Sequence, residues 1–120
     1  MYKSMDVYDD KPHEECGVFG IFDRDLSAVH ETYYGIFALQ NRGQESAGIT
    51  VSDGKTMETF RGMGLVTEVF HNLPEKEGHI GIGHVRYSTT GSSIPVNVQP
   101  LQADSIDGPM ALAHNGNLVN

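Results

Sequence analysis

The sequence predicts an α+β domain in which helices pack on an antiparallel sheet. Three observations lead there. Two strand-like runs, residues 47–51 and 56–61, flank Ser52-Asp53-Gly54-Lys55, a strong hairpin signal. Residues 27–42 repeat their apolar positions with a helical period. The 14 glycines among 120 residues fit a chain rich in strands and turns.

Taken in order, residues 1–15 show no sustained period, contain the breaker cluster Asp9-Asp10-Lys11-Pro12, and read as an extension ahead of the domain. Residues 17–22 form a first strand. Ser27 is placed to cap a helix running to about Arg42, with Val29, Tyr33, Ile36, Phe37 and Gln40 on or beside one face and Gly43 as its stop. The hairpin follows, then a turn at Gly62-Met63-Gly64. Leu65, Val66, Val69, Phe70 and Leu73 mark a short amphipathic helix ending before Pro74. Residues 79–86 alternate as a strand with Ile80, Ile82 and His84 on one face. Residues 88–100 read as a loop, 110–114 as a further strand, and His114-Asn115-Gly116-Asn117 as a turn out of it. Asn120 then falls where another element would begin, so the sequence reads as cut short.

The charge balance, 16 acids against 8 bases, disfavours nucleic acid or an anionic membrane as partner. No apolar run approaches a membrane span, and the first residues lack the pattern of a secretory signal, which makes the cytoplasm the expected location. A single cysteine leaves no internal disulfide framework or cysteine-rich metal site. The six histidines are scattered without a tight ligand pair, so no metal site is expected within these residues.

That cysteine, Cys16, stands where the acidic leader meets the first strand. A lone cysteine there has an ordinary reading as a small buried residue. A cut between Glu15 and Cys16 changes this, because the freed α-amine titrates at about 7.7–8.0 and can serve as general base to its own thiol. In the intact chain that nitrogen is an amide and takes no proton, so the leader acts as a mask. Three other segments are dense in hydrogen-bonding groups: 40–48, 84–91 and 114–117. Arginines also cap helices and Asn-Gly also makes tight turns, so each has a structural alternative. Together they offer Arg86 as a planar fork for a carboxylate, and Asn115 with the backbone of Gly116 as oxyanion donors.

Six motifs occur in order: Cys-Gly-Val-Phe-Gly-Ile at 16–21, Leu-Gln-Asn-Arg-Gly-Gln-Glu-Ser-Ala-Gly-Ile at 39–49, Gly-Leu-Val-Thr-Glu-Val-Phe at 64–70, Gly-His-Val-Arg-Tyr-Ser-Thr-Thr-Gly at 83–91, Asn-Val-Gln-Pro-Leu at 97–101 and Leu-Ala-His-Asn-Gly-Asn-Leu at 112–118. Through them residues 15–120 closely resemble the amino-terminal, class II glutamine amidotransferase part of the amidophosphoribosyltransferase family. The resemblance implies an N-terminal-nucleophile hydrolase fold, an αββα sandwich of antiparallel sheets, here incomplete at its C-terminus. It also implies a division into a propeptide-like leader, 1–15, and a truncated amidotransferase domain, 16–120.

By the same resemblance Cys16 is the nucleophile, Arg86 holds the glutamine α-carboxylate, and Asn115 and Gly116 form the oxyanion hole. Arg42 and Tyr87 order the site. The implied reaction releases ammonia from glutamine, and the whole enzyme uses it to convert phosphoribosyl pyrophosphate to 5-phosphoribosylamine, the first step of purine biosynthesis. Mg2+ and a [4Fe-4S] cluster are implied only for the part of such enzymes beyond this sequence, as is assembly into a homo-oligomer. The aspartate that binds the substrate amine and the transferase domain also lie beyond Asn120. These 120 residues alone are accordingly expected to fold poorly and to be inactive. Two alternatives stay open: a non-catalytic or regulatory glutamine-fold module, and the glutaminase of a sister enzyme such as the hexosamine-forming one. The latter typically has Tyr where this chain has Gln44 and Trp where it has Tyr87.

Overall fold

The computed structural model describes residues 16–41, 43–87 and 98–114. The leader, Arg42, residues 88–97, and Asn115 with Gly116 lie outside the described residues. Among the described residues six strands and two helices follow one another: β1 (Gly17–Phe22), α1 (Ala28–Leu39), β2 (Gln44–Ser52), β3 (Met57–Met63), α2 (Val66–Val69), β4 (Ile80–Tyr87), β5 (Leu101–Ser105) and β6 (Gly108–Leu112). The first four strands make one antiparallel sheet in the order β1-β4-β2-β3, and β5 pairs with β6 as a two-stranded ribbon.

Each face of the larger sheet follows from side-chain alternation along a strand. One face carries Phe19 and Ile21 of β1, Ala47, Ile49 and Val51 of β2, Phe60 of β3, and Val85 and Tyr87 of β4, and it is packed under the helices. The centre of that face is glycine. A Cβ on Gly81 would stand 2.1 Å from Thr32 Oγ1, and one on Gly83 would stand 2.5 Å from Ile36 Cγ2. Both helix residues are fully buried. Conversely, Phe19 fills the space a side chain at Gly35 would need, with its ring 2.5 Å from that Cβ position. Helix and sheet thus interlock through missing side chains on both sides.

The hairpin forms as the sequence predicts, with Asp53 Oδ1 accepting the amides of Lys55 and Thr56 at 2.8 and 2.7 Å, and Gly54 at φ +93°. Other elements depart from expectation at their ends. Helix α1 stops at Leu39 instead of Arg42, because Gln40 turns to φ −66°, ψ 137°. Gly43 does take a positive φ, +90°, but in the connection to β2 and not as the helix stop. At the helix end the Gln40 amide donates to the Phe37 carbonyl at 3.1 Å, and the Tyr87 hydroxyl donates to the Leu39 carbonyl. At the other end Ser27 makes no side-chain cap, and the Ala28 amide donates to the Gly78 carbonyl at 3.1 Å.

Of the helical face foreseen in α1, Val29 and Ile36 are buried, whereas Phe37 is 45% exposed and Ala28 and Thr32 complete the contact. Helix α2 is four residues long, not the whole stretch from Leu65 to Leu73, since the chain leaves it at Phe70 ahead of Pro74. Residues 101–105 were not foreseen as a strand, and the last strand spans Gly108–Leu112 instead of reaching His114. The joining turn has Gly108 at φ +116° and Ser105 Oγ donating to the Gly108 carbonyl at 2.7 Å. Asp107-Gly108 was the sequence signal for this hairpin.

Gly83→Ala should lower unfolding free energy by about 1–3 kcal/mol through overpacking against Ile36. Chemical denaturation against the unsubstituted protein measures it, and an unchanged midpoint would contradict the interlock described.

Candidate active site

Cys16 immediately precedes β1 and is half-buried. Strand β1 runs antiparallel to β4 with Gly17 opposite Val85. Continued by one residue, that register would bring Cys16 across from Arg86, on the sheet face away from the helices. Across the other edge of β4, Arg86 is paired with Ser46. Ser46 is itself buried, and its hydroxyl has no hydrogen-bond partner. A thiol, a guanidinium and a buried hydroxyl therefore stand on three neighbouring strands at one end of the sheet.

The β2–β4 ladder is irregular at this end, where Gln44 pairs with Tyr87 and Ser46 with Arg86, leaving Glu45 as the extra residue. Such a bulge bends its strand and redirects side chains. Gln44 anchors it. Its buried amide donates to the carbonyls of Ser46 and Gly64 at 2.9 and 2.7 Å, and its oxygen accepts the Val66 amide at 3.0 Å. Gln40 Oε1 accepts the same amide at 2.9 Å. The Gly64 amide closes the arrangement on the Glu45 carbonyl at 2.7 Å. Gln44, noted in the sequence as a point of difference from a sister family, thus fastens the start of β2 to the start of α2.

Tyr87 ends β4 beside Cys16. Burial pushes its phenol above the ordinary value, a negative charge on the nearby Cys16 sulfur would add to this, and a hydrogen bond from the Asn41 backbone opposes it. With its bond to the Leu39 carbonyl, Tyr87 ties the helix end and the start of the 40–43 connection to the strand that carries Arg86. Of the residues singled out in the sequence, Cys16, Arg86 and Tyr87 lie at one end of the sheet, Tyr87 on the helix-packed face and Arg86 on the opposite one. Arg42, Asn115 and Gly116 are outside the described residues.

Residues 98–100 cross the same sheet face. Arg61 Nη1 donates to the Val98 carbonyl, and Gly48 leaves room for the Gln99 carbonyl, which would stand 2.2 Å from a Cβ there. Gln99 Oε1 then accepts the His114 amide at 2.7 Å, and its Nε2 lies 3.3 Å from His114 Nε2. From β4, His84 Nε2 donates to the His114 carbonyl at 3.1 Å. His84 is fully buried, with Nδ1 unpartnered, and burial is the main cause holding its imidazole pKa down at about 4 against an ordinary 6.5. Sequence reasoning noted the segments holding His84 and His114 but missed this trio. The signal was a buried-strand histidine on the same face as Arg86, two residues away.

Among the described residues no group of three or more His, Cys, Asp or Glu is placed to hold a metal ion. No helix among them is long and apolar enough to cross a membrane.

A sheet of antiparallel strands under a helical layer, with a cysteine leading into its first strand, defines an α+β fold of the N-terminal-nucleophile type. The comparisons narrow this. The chain is 54% identical over 113 residues to the amidophosphoribosyltransferase of Synechocystis sp., and 55% identical over 118 residues to amidophosphoribosyltransferase 2, chloroplastic, of Arabidopsis thaliana. These matches take in 92% and 96% of this chain but 23% and 21% of the relatives. Two solved structures agree. One, described as the allosteric regulatory enzyme of purine biosynthesis, matches with a TM-score of 0.71 at 47% identity over 78% of this chain and 21% of its own. The other, glutamine phosphoribosylpyrophosphate amidotransferase from B. subtilis complexed with ADP and GMP, matches with a TM-score of 0.67 at 48% identity, over 87% of this chain and 22% of its own. No protein-family model matches. The chain belongs with the amidophosphoribosyltransferases and spans about a fifth of the length of the relatives it matches.

Between pH 6.5 and about 4 the unfolded chain binds a proton at His84 that the folded chain refuses. Acidification through this window therefore favours unfolding, with a loss of roughly 2–4 kcal/mol complete below about pH 4. Denaturation midpoints measured across the window should fall with pH, and His84→Gln, which does not titrate, should flatten that part of the slope.

Proposed function

We propose that this chain is the glutamine-hydrolysing part of an amidophosphoribosyltransferase, with Cys16 as nucleophile. The observation that carries the reading is the strand register pairing Gly17 with Val85, which, continued by one residue, would bring Cys16 across from Arg86 on one sheet face. A guanidinium offers two parallel donors to a carboxylate, which suits the α-carboxylate of glutamine, and it leaves the side-chain amide to the thiol.

In this reading residues 1–15 are removed and the α-amine of Cys16 becomes the base. It takes the thiol proton as sulfur attacks the amide carbon of glutamine. The negative oxygen that forms is held by the Asn115 side chain and the Gly116 amide. Collapse of this adduct breaks the carbon–nitrogen bond, and the proton passes from the ammonium to the leaving nitrogen, releasing ammonia. A glutamyl thioester remains, and water hydrolyses it to glutamate with the amine again as base. Tyr87 and Arg42 order the surroundings.

The matched relatives are named for phosphoribosyl transfer, so the ammonia is assigned to phosphoribosyl pyrophosphate, giving 5-phosphoribosylamine and pyrophosphate. That second reaction, and any Mg2+ it uses, belong to the region of such proteins outside the length matched here. An iron–sulfur cluster would also lie there, since it is held by several cysteine thiolates and this sequence has one. A cytoplasmic location goes with the reading.

In the full-length protein, Cys16→Ala should lower glutamine hydrolysis by at least about a thousandfold while leaving ammonia-dependent transfer in place. Intact-mass measurement supplies the second check: an active species still beginning at Met1 would refute the masked amine. Arg86→Gln should raise KM for glutamine by roughly 10–100-fold, since it removes a charge-assisted bidentate contact of about 1.5–3 kcal/mol. An unchanged KM would remove Arg86 from the substrate.

A further inference from the structure

The segment leading to Asn115 is held at its last described residue from two sides. Gln99 Oε1 accepts the His114 amide at 2.7 Å, and His84 Nε2 donates to the His114 carbonyl at 3.1 Å. That carbonyl and the amide of Asn115 belong to one planar peptide unit, so fixing the oxygen restricts the plane from which the next residue departs. We propose that His84 is a positioning residue for glutamine hydrolysis, acting through the His114 carbonyl to set the direction in which the chain enters its oxyanion donors. The inference rests on the reading of Cys16, Asn115 and Gly116 given above.

Several features distinguish this from an incidental buried contact. A peptide carbonyl only accepts, so Nε2 must carry the imidazole proton and Nδ1 must be the bare nitrogen. Nδ1 is buried without a partner. Leaving a buried acceptor unpaired is destabilising, so the ring is a poor choice if packing were its whole purpose. Burial also keeps the ring neutral at physiological pH, so the bond does not change character there. The second support is independent of the first. Gln99 reaches His114 only because residues 98–100 lie against the sheet where Gly48 has no side chain, anchored by Arg61 on the Val98 carbonyl. A strand residue and a residue of the 98–100 segment thus hold the two peptide groups flanking His114, on the sheet face away from the helices.

The geometry makes a graded prediction in the full-length protein. A glutamine side chain can present its Nε2 donor near the position of the imidazole Nε2, whereas leucine fills space and donates nothing. His84→Leu should lower kcat for glutamine hydrolysis by about 10–100-fold with KM for glutamine within about twofold, as expected when reacting groups are displaced but binding is kept. His84→Gln should recover most of that loss. Ammonia-dependent transfer should be unaffected in both, and a KM for glutamine kept within about twofold reports that the glutaminase part of the variants folds. Equal activity of His84→Leu and the unsubstituted protein, equal impairment of the two variants, or a rise in KM at constant kcat would each overturn the proposal. If Cys16→Ala abolishes glutamine hydrolysis while His84→Leu leaves kcat intact, this inference fails and the nucleophile assignment stands. If Cys16→Ala retains hydrolysis, the assignment itself fails.

Discussion

The pairing of β1 with β4 is the constraint on which the rest of the structure depends. It joins the beginning of the described chain to a strand more than sixty residues later and makes β4 an inner strand, flanked by β1 and β2. A connection of that length brings a large closure entropy, and local contacts do not repay it. The glycine-lined groove of β4 and β1 does, since it admits α1 to a distance that any side chain would forbid. The register of β1 on β4 is then fixed twice, by the ladder and by the fit of Phe19 beneath Gly35. A slip of one residue would turn every side chain to the opposite face, and Cys16 would no longer share a face with Arg86.

Two faces of one sheet divide the labour. The helical face is apolar and close-packed. The other carries Thr50 and Thr59, whose hydroxyls lie 2.7 Å apart, together with His84, Arg86, Ser46 and Arg61, and it receives the backbone of residues 98–100. Near the β1 edge that face is less covered, with Val18 43%, Phe22 65% and Ile80 46% exposed. The polar residues are held on strands and not on loops, which suits chemistry that needs groups fixed to a fraction of an ångström. Where the sheet is irregular, at the Glu45 bulge, the buried amide of Gln44 restores order with bonds to three backbone groups.

Much of this was legible in the residues because local chemistry determined it. The Asp53-Gly54 turn needs an acceptor at one position and a positive φ at the next, and the sequence supplies both. The first strand was readable from a continuous apolar run after a break in composition. The end of α1 was not, because the groups that stop it, Tyr87 and Gln40, work through contacts with residues far along the chain. Strand β5 was missed for a related reason. Leu101-Gln102-Ala103-Asp104 does alternate, but the run is short and exposed throughout, so no buried face sets it apart from the loop that precedes it. In the candidate site the thiol and the arginine stood out by residue type, whereas His84 and Gln99 did not, since their role is defined only by what the fold brings near them.

The same reasoning bears on how the site tolerates change. A residue that contacts substrate through charge, as assigned to Arg86, acts at its own position and can be tested alone. Residues that act through the backbone of another are coupled: His84, Gln99 and Gly48 all bear on where His114 sits, the last by leaving room for the Gln99 carbonyl. Effects of substitutions in such a group are not expected to add. Once Gly48→Ala has displaced residues 98–100, the bond from Gln99 to His114 is already compromised, so a further change at Gln99 removes little more. The combined loss should be smaller than the sum, whereas Arg86 and Gly48 substitutions should add, because they act on substrate binding and on backbone orientation respectively. Coupling of that kind separates residues that shape the site from those that meet the substrate, even where both lie on the same sheet face.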